Sequence, residues 1–128
     1  MFENLEIFKM AGDMARHAVT RQEVIAKNIA NADTPEYRAK DIASFARTYE
    51  QASGTTMRAT RAAHILAPKD AAADYGVFET SGATSPNGNT VSLETEMMKS
   101  SQVRHEHDLA LAIYKSSMNI LRTSIGRA

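Results

Sequence analysis

Apolar and small residues recur through the N-terminal part of the chain at alternating spacings of three and four. Such spacing places them along one side of an α-helix, as in the a/d seam of a coiled coil. We therefore predict a helix from Leu5 to Ala32, with Asn4 as its N-cap and His17 beside the seam on the helix surface. The seam residues are Phe8, Ala11, Ala15, Ala18, Gln22, Ile25, Ile29 and Ala32.

The C-terminal part of the chain carries a second seam with the same alternation. Ser92 is a suitable N-cap, and the pattern predicts a helix from Leu93 to Ile125 that Gly126 ends. Because both ends of the chain bear a seam, an antiparallel helix pair is the simplest fold, and the wider C-terminal stripe leaves apolar surface for other subunits. The stripe consists of Leu111, Tyr114, Met118, Leu121 and Ile125, widened by Leu109, Ile113 and Ile120.

The middle of the chain has few large apolar residues and many turn-forming ones. Asp41 is expected to cap a short helix that Gly54 ends, with Ile42, Phe45, Ala46 and Tyr49 on its apolar side. Residues 50–90 are predicted to be rich in loops. They contain candidate strands at 57–60, 64–67 and 76–80, too short for a sizeable sheet, and a turn at 85–89.

These patterns predict an all-α fold in a single domain. Residues 1–34 form the N-terminal core helix. Residues 35–90 form a turn, a short helix and a loop-rich insert, and residues 91–128 form the C-terminal core helix. The two terminal helices make an antiparallel, coiled-coil-like core.

Composition narrows the classes of function. The 128 residues include 15 basic and 15 acidic side chains, so no broad positive field exists for general nucleic-acid binding. The absence of cysteine excludes disulfides, thiolate metal sites and cysteine nucleophiles. The acidic N-terminus does not match a cleavable secretory signal, and no apolar run is long enough to span a membrane.

The histidines offer the most obvious candidates for chemistry, and none has the required spacing. His105 and His107 are two residues apart, which on a helix places them about 200° from each other, so they cannot chelate one ion. His64 lies in a loop-like segment without a fixed nucleophile nearby. The glycines are too scattered for a phosphate-binding loop. We therefore expect no catalytic residue, metal, cofactor or small-molecule substrate.

Several short motifs resemble a known family. Asn28-Ile-Ala-Asn-Ala-Asp-Thr-Pro35, followed by Tyr37 and Ala39 to Asp41, is similar to the N-terminal signature of bacterial flagellar rod, hook and related axial proteins. The stretch from Thr60 to Ile65 and the Gly88-Asn-Thr-Val91 motif narrow the resemblance to a proximal rod subunit. The family usually has glycine after the proline, and Glu36 at that position favours a type I turn.

The resemblance implies a structural subunit of the basal-body rod that assembles helically and transmits motor torque. Its implied partners are other copies of itself, the rod proteins FlgC, FlgF and FlgG, FliE, the inner-membrane MS ring and the flagellar type III export apparatus. It further implies a periplasmic rod location reached without a cleaved signal peptide. By position, Asn28, Asn31, Thr34, Pro35 and Tyr37 would form the turn and contacts between subunits. Another rod subunit such as FlgC, or a cytoplasmic helical adaptor or secretion chaperone, remains an alternative.

Overall fold

A computed structural model describes residues 2–53 and 75–126. In chain order the elements are α1 (Phe2–Ala30), β1 (Lys40–Ile42), α2 (Phe45–Ser53), β2 (Val77–Glu79) and α3 (Leu93–Ile125). Helix dominates the fold, which confirms the predicted all-α class.

The two long helices pack against each other in antiparallel orientation. Near one end of the pair, the rings of Phe8 and Tyr114 meet edge to face with centroids 5.2 Å apart. Towards the other end, Nε2 of Gln22 donates a hydrogen bond of 2.9 Å to Oγ of Ser100. The one polar residue in the N-terminal seam is thus matched by a polar residue on the facing helix, and the predicted pairing of the terminal helices is confirmed.

Small side chains line the contact between α1 and α3. The core of the hairpin is the cluster of Ala18, Ile25 and Val103, and Ala11 and Ala110 are also buried. Alanine at these positions allows two helix backbones to approach closely, as the seam predicted. The apolar core is small, so polar contacts carry an unusual share of the packing.

The ends of the helices agree only partly with the sequence prediction. Helix α3 has its predicted bounds, and its N-cap Ser92 accepts a hydrogen bond of 3.5 Å from the backbone N–H of Thr95. Helix α1 begins at Phe2, so the prediction of Asn4 as its N-cap was wrong. Helix α1 ends at Ala30, two residues earlier than predicted, because the chain turns at Asn31, inside the signature motif.

The predicted cap role of Asp41 was also wrong. Asp41 and Ile42 belong to β1, which pairs antiparallel with β2 in a two-stranded sheet, with Asp41 opposite Phe78. Helix α2 begins later, at Phe45. The reason is tertiary: the Asp41 carboxylate is held by Arg21 on α1 and Ile42 is buried, so neither is available to a local helix.

His17 is buried, contrary to the prediction that it lies on the helix surface. Only 1% of its surface is exposed, and its Nε2 lies 2.7 Å from the carbonyl oxygen of Ala43. The rings of Phe45 and Tyr75 pack against the imidazole at 5.8 and 4.9 Å. The segment after β1 therefore covers this side of α1.

The remaining predictions for the insert have mixed outcomes. The candidate strand at 76–80 contains β2, and the turn at 85–89 is confirmed by a hydrogen bond of 2.8 Å from Gly88 N–H to the Ser85 carbonyl. The candidate strands at 57–60 and 64–67, together with Gly54 and His64, lie outside the described residues. Within the described ranges, no helix has the length and apolar character needed to cross a membrane.

Candidate assembly site

Asn28 lies at the centre of the region where the signature turn meets both long helices. Its side chain is fully buried. The amide nitrogen donates to the Lys40 carbonyl at 2.7 Å and to Oε2 of Glu96 at 2.9 Å. The amide oxygen accepts from the Lys40 N–H at 3.0 Å and from the Tyr37 hydroxyl at 3.3 Å. Every hydrogen-bonding position of this amide is therefore used within the chain.

An ion-pair network extends from Glu96 across the hairpin. Lys99 Nζ lies 2.9 Å from Oε1 of Glu96 and 3.4 Å from Oδ2 of Asp41. Arg21 Nε donates to Oδ1 of Asp41 at 3.1 Å, and its Nη1 lies 3.6 Å from Oε1 of Glu106. We call Asn28 and these five charged residues the polar network: Arg21, Asn28, Asp41, Glu96, Lys99 and Glu106.

Asp41 is the carboxylate on which two cations of the polar network converge. Burial by itself would raise the pKa of Asp41. The hydrogen bond from Arg21, the hydrogen bond from the Ile42 N–H and the charges of Arg21 and Lys99 outweigh burial, so the net pKa is lowered. Asp41 is consequently held in the ionised form that both cations require.

Asn89 joins the start of α3 to the end of α1. Its side-chain amide donates to the carbonyls of Asn31, Ala32 and Thr34 at 2.8 to 2.9 Å, and only 1% of the residue is exposed. These carbonyls lie in the turn that follows α1, where those of Asn31 and Thr34 also accept from the backbone N–H groups of Thr34 and Tyr37, so the amide adds a tie between this turn and the start of α3. Its oxygen accepts from the Val91 N–H at 2.7 Å, which fixes the approach to α3.

Two turns pack against each other beside Asn89. The Tyr37 N–H bonds to the Thr34 carbonyl at 3.3 Å, and Glu36 has a φ of +60°. A positive φ at the third position defines a type II turn, so the prediction of a type I turn was wrong. The Glu36 N–H also bonds to the Asn87 carbonyl at 3.0 Å, and this contact holds a non-glycine residue in a conformation that glycine prefers.

The site residues named from the sequence differ widely in exposure. Ile25 and Asn28 are buried, and six others are half-buried: Phe8, Ala15, Asn31, Tyr37, Met118 and Leu121. The remaining seven are exposed: Gln22, Ile29, Thr34, Pro35, Leu111, Tyr114 and Ile125.

The buried face of α3 is not the apolar stripe that the sequence suggested. Glu96, Val103 and Ala110 are its buried positions, whereas Leu111 is 50% exposed. Ile125 is 74% exposed because Phe8 opposes Tyr114, which places the start of α1 near Ile120 and leaves Ile125 beyond the pair. The stripe is therefore mostly left outside the hairpin.

Several residues of this site were missed from the sequence. Asn89 was named only within a turn and a family motif, without a role of its own, and Glu96 was not singled out. The one usable signal for Glu96 is position: it lies seven residues before Val103 and fourteen before Ala110, on the same side of α3. The sequence also does not distinguish three further residues of the polar network from solvated surface charges, because only the fold places them together: Arg21, Lys99 and Glu106.

One side of the hairpin stays open among the described residues. An α-helix turns by 100° per residue, and this angle places the exposed apolar residues of α1 and of α3 on the same side of the antiparallel pair. A shallow groove on this side is lined by residues of both helices, including Val19, Gln22, Arg104 and His107. We call the exposed apolar residues on this side of the hairpin the open flank: Val19, Ile29, Leu93, Met97, Leu111 and Tyr114.

The paired terminal helices, tied to the signature turn by buried asparagines and bearing an open apolar flank, define a subunit built to pack against neighbours. The protein-family comparison agrees with this class. Residues 17–38, which include His17, Arg21, Asn28 and the turn, match a family described as "Flagella basal body rod protein".

Comparison with individual proteins specifies the family further. The chain is 32% identical to the flagellar basal body rod protein FlgB of Agrobacterium fabrum, over 96% of this chain and 95% of that protein. It is 35% identical to FlgB of Cereibacter sphaeroides over 83% of each chain, and 32% identical to FlgB of Salmonella typhimurium over 80% of this chain and 83% of that protein. The chain therefore belongs to the FlgB family of flagellar basal body rod proteins, and its role is that of a structural rod subunit.

Proposed function

We propose that this subunit is held in the rod chiefly through the open flank of its helical hairpin. The exposed fractions of Val19, Leu111 and Tyr114 are 52%, 50% and 47%, which is high for large apolar side chains. Contiguous exposed apolar surface is typical of sites that bind another protein. Burying this flank against neighbouring subunits offsets the small core of the single chain.

The predicted site residues divide into two roles under this proposal. The exposed ones contact neighbouring subunits: Gln22, Ile29, Thr34, Pro35, Leu111, Tyr114 and Ile125. The buried and half-buried ones hold the hairpin and the turn in the shape that neighbours recognise: Phe8, Ala15, Ile25, Asn28, Asn31, Tyr37, Met118 and Leu121. Asn28 acts within its own chain because its hydrogen-bonding capacity is already used.

Membership of the FlgB family and the open flank support a proposal for the neighbours of this subunit. We propose contacts with further copies of this chain, with FlgC, FlgF and FlgG, and with FliE at the base of the rod next to the MS ring. The chain reaches this periplasmic position through the flagellar type III export apparatus without losing a signal peptide. The comparisons give no support to a cytoplasmic adaptor or secretion chaperone.

A mechanical role without catalysis fits the chemistry of the subunit. The ionisable groups of the polar network are engaged with one another, and Asp41 is held ionised by two cations. Such groups serve to stiffen the joint between turn and helices. Torque applied to one subunit would then pass to the next through packed surfaces.

The proposed role of the open flank can be tested by placing a negative charge on it. Ile29→Asp and Leu111→Asp are expected to abolish incorporation into basal bodies and swimming, because each buries a carboxylate in an apolar contact. Ala112→Asp is the matched control, since position 112 is exposed and points about 180° away from Val103. Fractionation of basal bodies, together with motility in soft agar, gives the readout. Normal swimming of both flank variants would contradict the proposal.

A further inference from the structure

The apolar contact between α1 and α3 repeats every seven residues on both helices. On α1 the buried positions Ala11, Ala18 and Ile25 are seven apart, and on α3 so are Val103 and Ala110. Sliding one helix by seven residues would again place small apolar side chains opposite one another. The apolar surface therefore distinguishes poorly between the observed register and a slid one.

A buried polar pair does distinguish between these registers. Asn28 on α1 and Glu96 on α3 have 0% and 2% of their surfaces exposed, and their side chains are joined by a hydrogen bond of 2.9 Å. Among residues 2–53 and 75–126, the other side-chain partner of Glu96 is Lys99, which lies on the same helix and would move with it. Any slide removes the Asn28 donor from a buried carboxylate, which is costly.

We propose that Asn28 and Glu96 are positioning residues that set the register of α1 against α3. Buried polar groups in coiled coils can specify alignment in this way, at some cost in stability. The alignment matters beyond the hairpin because the open flank combines residues of both helices. A slide of seven residues would move Leu111 by about 10 Å relative to Ile29 and break up that surface.

The absence of cysteine from the chain makes the register directly measurable. Gln22→Cys with Ser100→Cys reports the observed register, because these side chains are in contact. Gln22→Cys with His107→Cys and Ala15→Cys with Ser100→Cys report slides of seven residues in the two directions. Each pair is introduced into the full-length chain, and disulfide formation under mild oxidation is quantified by non-reducing gel electrophoresis.

Three backgrounds are compared for each reporter pair. In the parent chain, only the pair at positions 22 and 100 is expected to form a disulfide. With Asn28→Leu and Glu96→Leu together, the ratio of slid to observed disulfide is expected to rise at least about tenfold, while circular dichroism still shows a helical chain. Glu96→Gln should retain the parent pattern, because its side-chain oxygen still accepts from Asn28.

The control variants separate register from simple loss of stability. If the double leucine variant is not helical, the double alanine variant, Asn28→Ala with Glu96→Ala, replaces it. Alanine is too small to overpack the site. A helical double variant that keeps only the observed disulfide would overturn the proposal and leave the register to other contacts, such as those of Asn89, the Arg21–Glu106 ion pair and the Phe8–Tyr114 ring contact. Sliding in the parent chain, or equal sliding in Glu96→Gln and the double variant, would overturn it as well.

Discussion

Two buried asparagines account for much of the order around the signature turn. Asn28 binds the strand that follows the turn, and Asn89 binds carbonyls of the turn directly after α1. The primary amide suits both positions because it donates and accepts at once. Asn28 could be singled out from the sequence because it belongs to a recognisable motif. Asn89 also belongs to a motif, but its role could not be predicted, because its partners are backbone carbonyls more than fifty residues away.

Gly88 is the glycine whose conformation the turn requires. Its φ is +82°, and an added Cβ would lie 3.3 Å from Cα of Glu36. We expect Gly88→Ala to lower the free energy of unfolding by about 1–2 kcal/mol, the cost of a left-handed L-residue. Urea denaturation, followed by circular dichroism, measures this loss of stability.

Gly12 provides the matched control for this substitution. It lies within α1, and an added Cβ there meets no atom within 4 Å. Gly12→Ala should therefore raise the free energy of unfolding by about 1 kcal/mol through helix propensity. Equal effects of the two substitutions would contradict the role of the turn.

At the scale of the elements, β1 and the two long helices are held together by charge as much as by apolar contact. β1 contributes Asp41, and both Arg21 on α1 and Lys99 on α3 lie within ion-pair distance of its carboxylate. The sequence predicted both long helices from their periodicity. It did not predict β1, because three residues carry too little periodicity to outweigh a helical reading of the segment after the turn.

The lowered pKa of Asp41 predicts acid sensitivity of the fold. Because the folded pKa lies below the unfolded value of about 4, ionised Asp41 contributes its full stability above that pH. The contribution is lost as the pH falls through the folded pKa. Thermal unfolding between about pH 7 and pH 2 should therefore show Asp41→Asn much less stable than the parent at neutral pH, with the difference shrinking in acid.

The exposed carboxylate of Asp108 supplies the comparison for that measurement. Asp108→Asn should follow the parent curve closely over the same pH range. A constant gap between Asp41→Asn and the parent at every pH would show that Asp41 acts by shape and not by charge.

At the scale of the whole molecule, stability is expected to be uneven along the hairpin. The cluster of Ala18, Ile25 and Val103, the polar network and the Asn89 contacts all lie in the half nearest the turn. The opposite end is marked by the Phe8–Tyr114 contact and ends in the exposed Ile125. Regions with few buried contacts open with low free energy.

Hydrogen exchange of the purified chain tests this gradient. Backbone amides near Ile25 and Val103 should be the most protected, and those from Ile120 to Ile125 should exchange first. In assembled rods, protection of the latter segment should rise because neighbouring subunits cover it. Uniform protection along α3 in the free chain would argue against the gradient.

By itself, the sequence determined the two long helices, the bounds of α3, the alanine-rich seam that lets the helices approach, and membership of a family of axial proteins. These features are local, since helix periodicity, caps and short motifs are written in neighbouring residues. Only the tertiary structure decided that His17 is buried, that Asp41 lies in a strand and that Glu36 takes a positive φ. It also decided which face of α3 is covered, because that choice depends on pairing Asn28 with Glu96, 68 residues apart. The sequence alone does not distinguish a glutamate that will be buried from one that will be solvated, because burial depends on a partner that is distant along the chain.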